Sequence, residues 1–153
     1  MKTRLEIGKV EPAAYQAMMK VEDYVRNSGL DKILLELVKT RASQINGCAF
    51  CIDMHTKDAR HAGETEQRLY ALSAWQETPF YTPQERAALS LTEAVTQISQ
   101  DGVADAVYEE VSRYFTPEQI AKLLMAIVAI NAWNRLSIAT RIVPGSYQIK
   151  AAA

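Results

Sequence analysis

Two cysteines in a chain of 153 residues are too few to staple a small secreted fold. An excess of one charge is missing too: 17 Lys and Arg face 18 Asp and Glu, a formal net charge of −1. No basic stripe is available to follow a phosphate backbone, which argues against a nucleic-acid partner. The N-terminus starts charged, with Lys2, Arg4 and Glu6, but no apolar run follows, so no secretory leader is read. The longest nearly apolar stretch, residues 123–133, falls well short of the ~20 residues of a bilayer span. Asn131 also interrupts it. The expectation is a soluble, cytoplasmic chain with no membrane partner.

Strand-like alternation, internal repeats and low-complexity linkers are absent as well, which leaves a single domain over residues 1–153. At 48% hydrophobic and 23% charged residues, that domain has ordinary globular composition. What recurs is helical period with helix punctuation. Residues 12–27 carry Tyr15, Met18, Met19, Val21 and Val25 before Gly29 stops the pattern. Asp31 is a fair N-cap for a helix with Leu34, Leu37, Val38 and Ile45 on one stripe, ended by Asn46-Gly47. A third helix should run from about Cys48 to Ala62-Gly63, and a fourth over 65–75 with Leu69 and Leu72 inward. Thr82-Pro83-Gln84-Glu85 and Thr116-Pro117-Glu118-Gln119 both read as capping boxes with proline at the first helical position. They open helices reaching about Ser99 and Ile142, with a short helix over 104–113 between them. The prediction is an all-α domain of about seven helices. The last helix is apolar nearly all round, so it belongs at the centre of the fold or in a subunit interface. Ala151, Ala152 and Ala153 should be loose.

The chemistry concentrates in Cys48-Ala49-Phe50-Cys51-Ile52-Asp53-Met54-His55. In a helix the spacing i, i+3, i+7 brings Cys48, Cys51 and His55 within an arc of roughly 60°. His61 points roughly 120° away and reads as a surface histidine. A free thiol ionises near ~8.5, so a nucleophilic cysteine needs help at neutral pH. His55 can accept a thiol proton, and a helix N-terminus next to Gly47 offers partial positive charge. Once one thiolate is oxidised to a sulfenic acid, the second thiol can condense with it to a disulfide, which an external dithiol then reduces. The helix dipole favours Cys48 as the first attacker and the i, i+4 histidine favours Cys51, with more weight on the histidine because it also accepts the proton.

Other uses of these residues fit less well. A structural zinc site wants a fourth ligand; no second cysteine pair exists, and Glu36 or Asp58 would have to serve. Covalent haem needs a histidine directly after Cys51, where Ile52 stands. A thioredoxin frame needs strands.

Glu36, eleven residues, then Cys48-x-x-Cys51-x-x-x-His55 resembles the core motif of the alkylhydroperoxidase D family, within the carboxymuconolactone decarboxylase superfamily. The likeness is strongest over residues 34–91, and Asn131-Ala132-Trp133-Asn134-Arg135 is similar too. It implies an all-helical homo-oligomer, a trimer or hexamer. It also implies a thiol peroxidase for hydrogen peroxide or organic hydroperoxides, regenerated by a dithiol or lipoyl-type reductant, with no metal, flavin or haem cofactor. In that scheme Cys51 attacks, Cys48 resolves, His55 relays the proton and Glu36 is the final base. Periodicity by itself puts Glu36 on a solvated face, opposite the Leu34/Leu37/Val38 stripe. Phe50 stands where some members carry a further histidine, which removes a base or shapes an apolar approach. Asp58 reads as a solvated aspartate or as a partner that orients His55. Two rivals remain: a carboxymuconolactone decarboxylase-type lyase, which does not need the cysteines, and a non-catalytic redox sensor.

Overall fold

Helix signals written in the sequence become helix ends in the computed structural model, which describes residues 2–149. The chain runs α1 (Ile7–Val10), α2 (Pro12–Arg26), α3 (Lys32–Asn46), α4 (Ala49–His61), α5 (Glu66–Ala71), a 3₁₀ segment (Leu72–Glu77), α6 (Pro83–Thr96), α7 (Ile98–Asp101), α8 (Asp105–Tyr114) and α9 (Pro117–Thr140). No strand occurs among the described residues. The expected loose residues Ala151, Ala152 and Ala153 lie outside them.

Asp31 caps α3 by accepting from the Leu34 N–H at 2.9 Å. Both capping boxes form, with Thr82 and Glu85 opening α6 and Thr116 and Gln119 opening α9. Gly47 takes the left-handed conformation (φ 69°). Around it the Gly47 N–H donates to Gln44 O (3.2 Å) and the Cys48 N–H to Ser43 O (2.9 Å). That is the Schellman pattern, which frees the next residues to start α4 at a new angle.

Two single-turn helices, α1 before Pro12 and α7 after Thr96, raise the α-helices among the described residues from the expected seven to nine. The expected helix over 65–75 breaks at Ala74, whose φ/ψ of −123°/33° leave the helical region. The helix from Thr82 ends at Thr96, and a separate turn, α7, follows. The last helix stops at Thr140, two residues early, because Arg141 adopts the left-handed conformation (φ 56°) and closes a second Schellman pattern.

Two helices form the axis. α3 packs against α4, α6 and α9, and α9 also packs against α2 and α8. The main core joins Val25, Leu34, Val38, Leu91, Leu123 and Ile127. A second cluster places Leu37 with Leu72, Trp75 and Leu89. α3 is therefore enclosed on nearly every side, and even Lys39 is buried, paired with Glu22 of α2 at 2.6 Å. Burial opposes the Glu22 charge, yet Lys39 outweighs it and holds the carboxyl below its ordinary range. By length and composition α9 could cross a membrane, with a mean hydropathy of 1.4 over its best 18 residues. Its buried Asn131, Asn134 and Ser137 and its fully buried Leu123 and Ile127 make it the core helix of this fold instead.

Candidate active site

α4 starts at Cys48, its N-cap, and carries Cys51 and His55 on the face turned to α3 and α9. Both cysteines are free and buried, and their sulfurs lie 2.9 Å apart. Ala42, Ile130, Phe50 and Trp133 surround them with apolar surface. From α9, Ser137 Oγ approaches Cys51 Sγ at 3.7 Å.

The two sulfurs share a proton unequally. The hydrogen bond with Cys51, working against burial, pulls Cys48 down to about 6, with smaller help from Asn134 and Ser137. The same hydrogen bond, reinforced by burial and by the Cys48 charge, pushes Cys51 up. Cys48 also sits where the helix dipole stabilises a negative charge. Both shifts run in the direction that draws negative charge toward Cys48 rather than Cys51. The family resemblance makes Cys51 the attacker, whereas the lowered thiol is its neighbour Cys48.

His55 is 4% exposed, and one ring nitrogen, Nδ1, lies 2.8 Å from Glu36 Oε2. This corrects the periodicity reading of Glu36 as solvated. Its face of α3 is covered by α4, so the carboxylate is half-buried against the histidine. Two pairs thus form, Cys48 with Cys51 and His55 with Glu36, while His61 stays exposed at the end of α4. Asp58 is neither free in solvent nor bonded to His55. It accepts from the Tyr147 hydroxyl at 2.7 Å and lies with Glu36 and His55 in a group whose donor atoms are all within 4.8 Å. The cysteine sulfurs do not belong to that group.

Sequence reasoning missed the support behind the thiols. The Asn46 side-chain amide donates to Asn131 Oδ1 and Asn134 Oδ1, each at 2.9 Å, and Asn134 donates to Ser43 Oγ at 2.9 Å. The readable signal was three polar residues, Asn131, Asn134 and Ser137, spaced i, i+3, i+6 in and beyond the apolar stretch of α9. Such a row pays its way only by meeting polar partners. On the far side of Trp133 an apolar groove of about 390 Å³ is lined by Ile7, Tyr15, Met18, Leu136 and Arg135 among others.

A model of the carboxymuconolactone decarboxylase family matches residues 12–94, the span that contains Glu36, both cysteines and His55. The chain belongs to the carboxymuconolactone decarboxylase family. YdfG of Bacillus subtilis, an uncharacterized protein, is 48% identical over 139 residues, covering 91% of this chain and 95% of its own. The alkyl hydroperoxide reductase AhpD of Streptomyces coelicolor is 36% identical over 69 residues, only 43% of this chain and 39% of that one. A crystal structure from Agrobacterium tumefaciens, of a protein of unknown function provisionally called an antioxidant defence protein AhpD, superposes with a TM-score of 0.93. It is 45% identical and covers 95% of this chain and 100% of that one. The all-helical fold of this family member is therefore AhpD-like.

Proposed function

We propose that this chain reduces hydrogen peroxide or organic hydroperoxides with Cys48 and Cys51 as a dithiol–disulfide couple. The observation that carries the reading is the pair of free sulfurs 2.9 Å apart at the start of α4, with His55 on the same face of α4 and paired to Glu36 of α3.

The chemistry balances with these groups. The Cys48 thiolate attacks one peroxide oxygen, the O–O bond breaks, and the departing oxygen takes a proton to leave as water or alcohol. Cys48 is then a sulfenic acid. Cys51 gives its proton toward His55 and Glu36, attacks the Cys48 sulfur and expels water, forming the disulfide. Two thiols have supplied the two electrons that the peroxide gained. A small dithiol or a lipoyl-type arm restores the pair by exchange. Assigning the first attack to Cys48 reverses the roles that the resemblance implies; its place at the N-cap of α4 and the direction of its shift favour it.

Phe50 and Trp133 give the sulfurs an apolar flank suited to an organic peroxide. The proposed working form is a homo-oligomer in the cytoplasm, with α9 surface covered by neighbouring copies. A decarboxylase of the family type leaves the cysteine pair without a task, and a sensor leaves the His55–Glu36 base without one.

The test is steady-state peroxide consumption with a dithiol reductant, comparing wild type, Cys48→Ser, Cys51→Ser and Glu36→Gln. Cys48→Ser should lose all turnover, and Cys51→Ser should complete one round and stop as a trappable sulfenic acid. Glu36→Gln should be slowed by about 10²-fold, the low end for a lost acid–base group. A single round in Cys48→Ser instead would return the attack to Cys51. No turnover in wild type, despite ready disulfide formation, would favour the sensor.

A further inference from the structure

Asp58 has no part in the thiol chemistry, yet it stands against the groups that do. Glu36 comes from α3, whereas His55 and Asp58 come from successive turns of α4, at the i, i+3 spacing that aligns side chains. One donor atom from each lies within 4.8 Å of the other two. We propose that Glu36, His55 and Asp58 bind a divalent transition-metal ion of the zinc class.

The donor set names the class. One imidazole nitrogen with two carboxylate oxygens suits zinc and its first-row neighbours, whereas magnesium and calcium prefer oxygen alone. Ligand atoms about 2.0–2.2 Å from a tetrahedral ion stand about 3.3–3.6 Å apart, so a pair at the 4.8 Å limit closes by about 1.5 Å, a movement within reach of side-chain rotation. Two carboxylates and a neutral imidazole also match the charge of a dication. The histidine is buried and the carboxylates are half-buried, so water can complete the coordination.

The surroundings hold the ligands in place, as the groups behind metal ligands commonly do. Tyr147 donates to Asp58 Oδ1 at 2.7 Å. Its own backbone is tied down, since Lys57 Nζ donates to Tyr147 O (3.2 Å) and the Gly145 N–H to Asp53 Oδ2 (3.0 Å). The segment after α9 thus crosses α4 and braces Asp58.

An ion here occupies the carboxylate and the imidazole that would receive the Cys51 proton. Metal binding and proton relay exclude one another, so the ion is an inhibitor of turnover. That consequence rests on the peroxidase reading; the binding itself does not.

Zinc titrated by calorimetry into the Cys48→Ser/Cys51→Ser double variant, which lacks the competing thiols, should bind one ion per chain. Adding Asp58→Asn should weaken binding at least tenfold, with the helical circular dichroism unchanged. In turnover assays, zinc should inhibit wild type reversibly on chelation, and Asp58→Asn should need at least tenfold more zinc. Loss of binding in the double variant, or binding indifferent to Asp58→Asn, would overturn the site. Binding as expected with an active, uninhibited wild type would overturn the antagonism. A wild type without turnover removes the peroxidase reading and leaves the calorimetry to decide the metal site.

Discussion

The hydrogen bond between the two sulfurs pulls Cys48 down to about 6 and pushes Cys51 up. The pH dependence follows directly. Cys48 is lowered, so its thiolate persists above about 6 and disappears as pH falls through that value. Thiolate ultraviolet absorbance should therefore show a step centred near 6 in wild type, and Cys48→Ser should abolish it. Cys51→Ser leaves Cys48 without the thiol that lowers it most and should move the midpoint upward; an unmoved midpoint would mean that the helix terminus and α9 do the lowering. The cysteines and His55 were legible at this scale because one helix carries all three. Glu36 was legible only through the family motif, since its covering comes from α4 rather than from its own helix.

Between α3 and α4 the chain turns on one residue. Gly47 at φ 69° has nothing within 4 Å of where a Cβ would stand, so Gly47→Ala meets no clash, only an unfavourable backbone conformation. The expected cost is about 1–2 kcal/mol, measured by urea unfolding, and an unchanged midpoint would show that the turn relaxes elsewhere. Caps and stops of this kind were readable: Asp31, Gly47, Thr82 and Thr116 all mark helix ends, because each acts on backbone groups a few residues away. What was not readable depends on distant partners. The break at Ala74 has no glycine or proline to announce it, and Arg141 enters the left-handed region without the residue that usually does so. The Glu22–Lys39 pair and the Tyr147–Asp58 bond join residues 17 and 89 apart, beyond any local signal.

At the scale of the molecule, α9 divides its apolar surface between inside and outside. Leu123, Ala126, Ile127 and Ile130 fill the core, while Met125, Val128 and Ile138 remain 38%, 52% and 46% exposed. The sequence reading of α9 as central or interfacial is met in its first half by the core packing. The second half is the proposed assembly. Val128→Glu should leave the monomer folded and reduce the mass measured by light scattering. A mass equal to that of wild type would place the contact between copies on another face.

The Asn46-Gly47 step also bears on how the protein ages. An asparagine before glycine is chemically fragile, because the following amide nitrogen can close on the side-chain carbonyl and release ammonia. Here the Asn46 amide is engaged by Asn131 and Asn134, and its backbone is fixed at the end of α3. The folded chain shelters this step, and each excursion to the unfolded state exposes it. Conversion to aspartate would replace a donor by an acceptor facing two carbonyl oxygens, just ahead of the thiols. Damage at that step should therefore rise with time spent unfolded, and would remove the Asn46 donors that Asn131 and Asn134 meet behind the thiols.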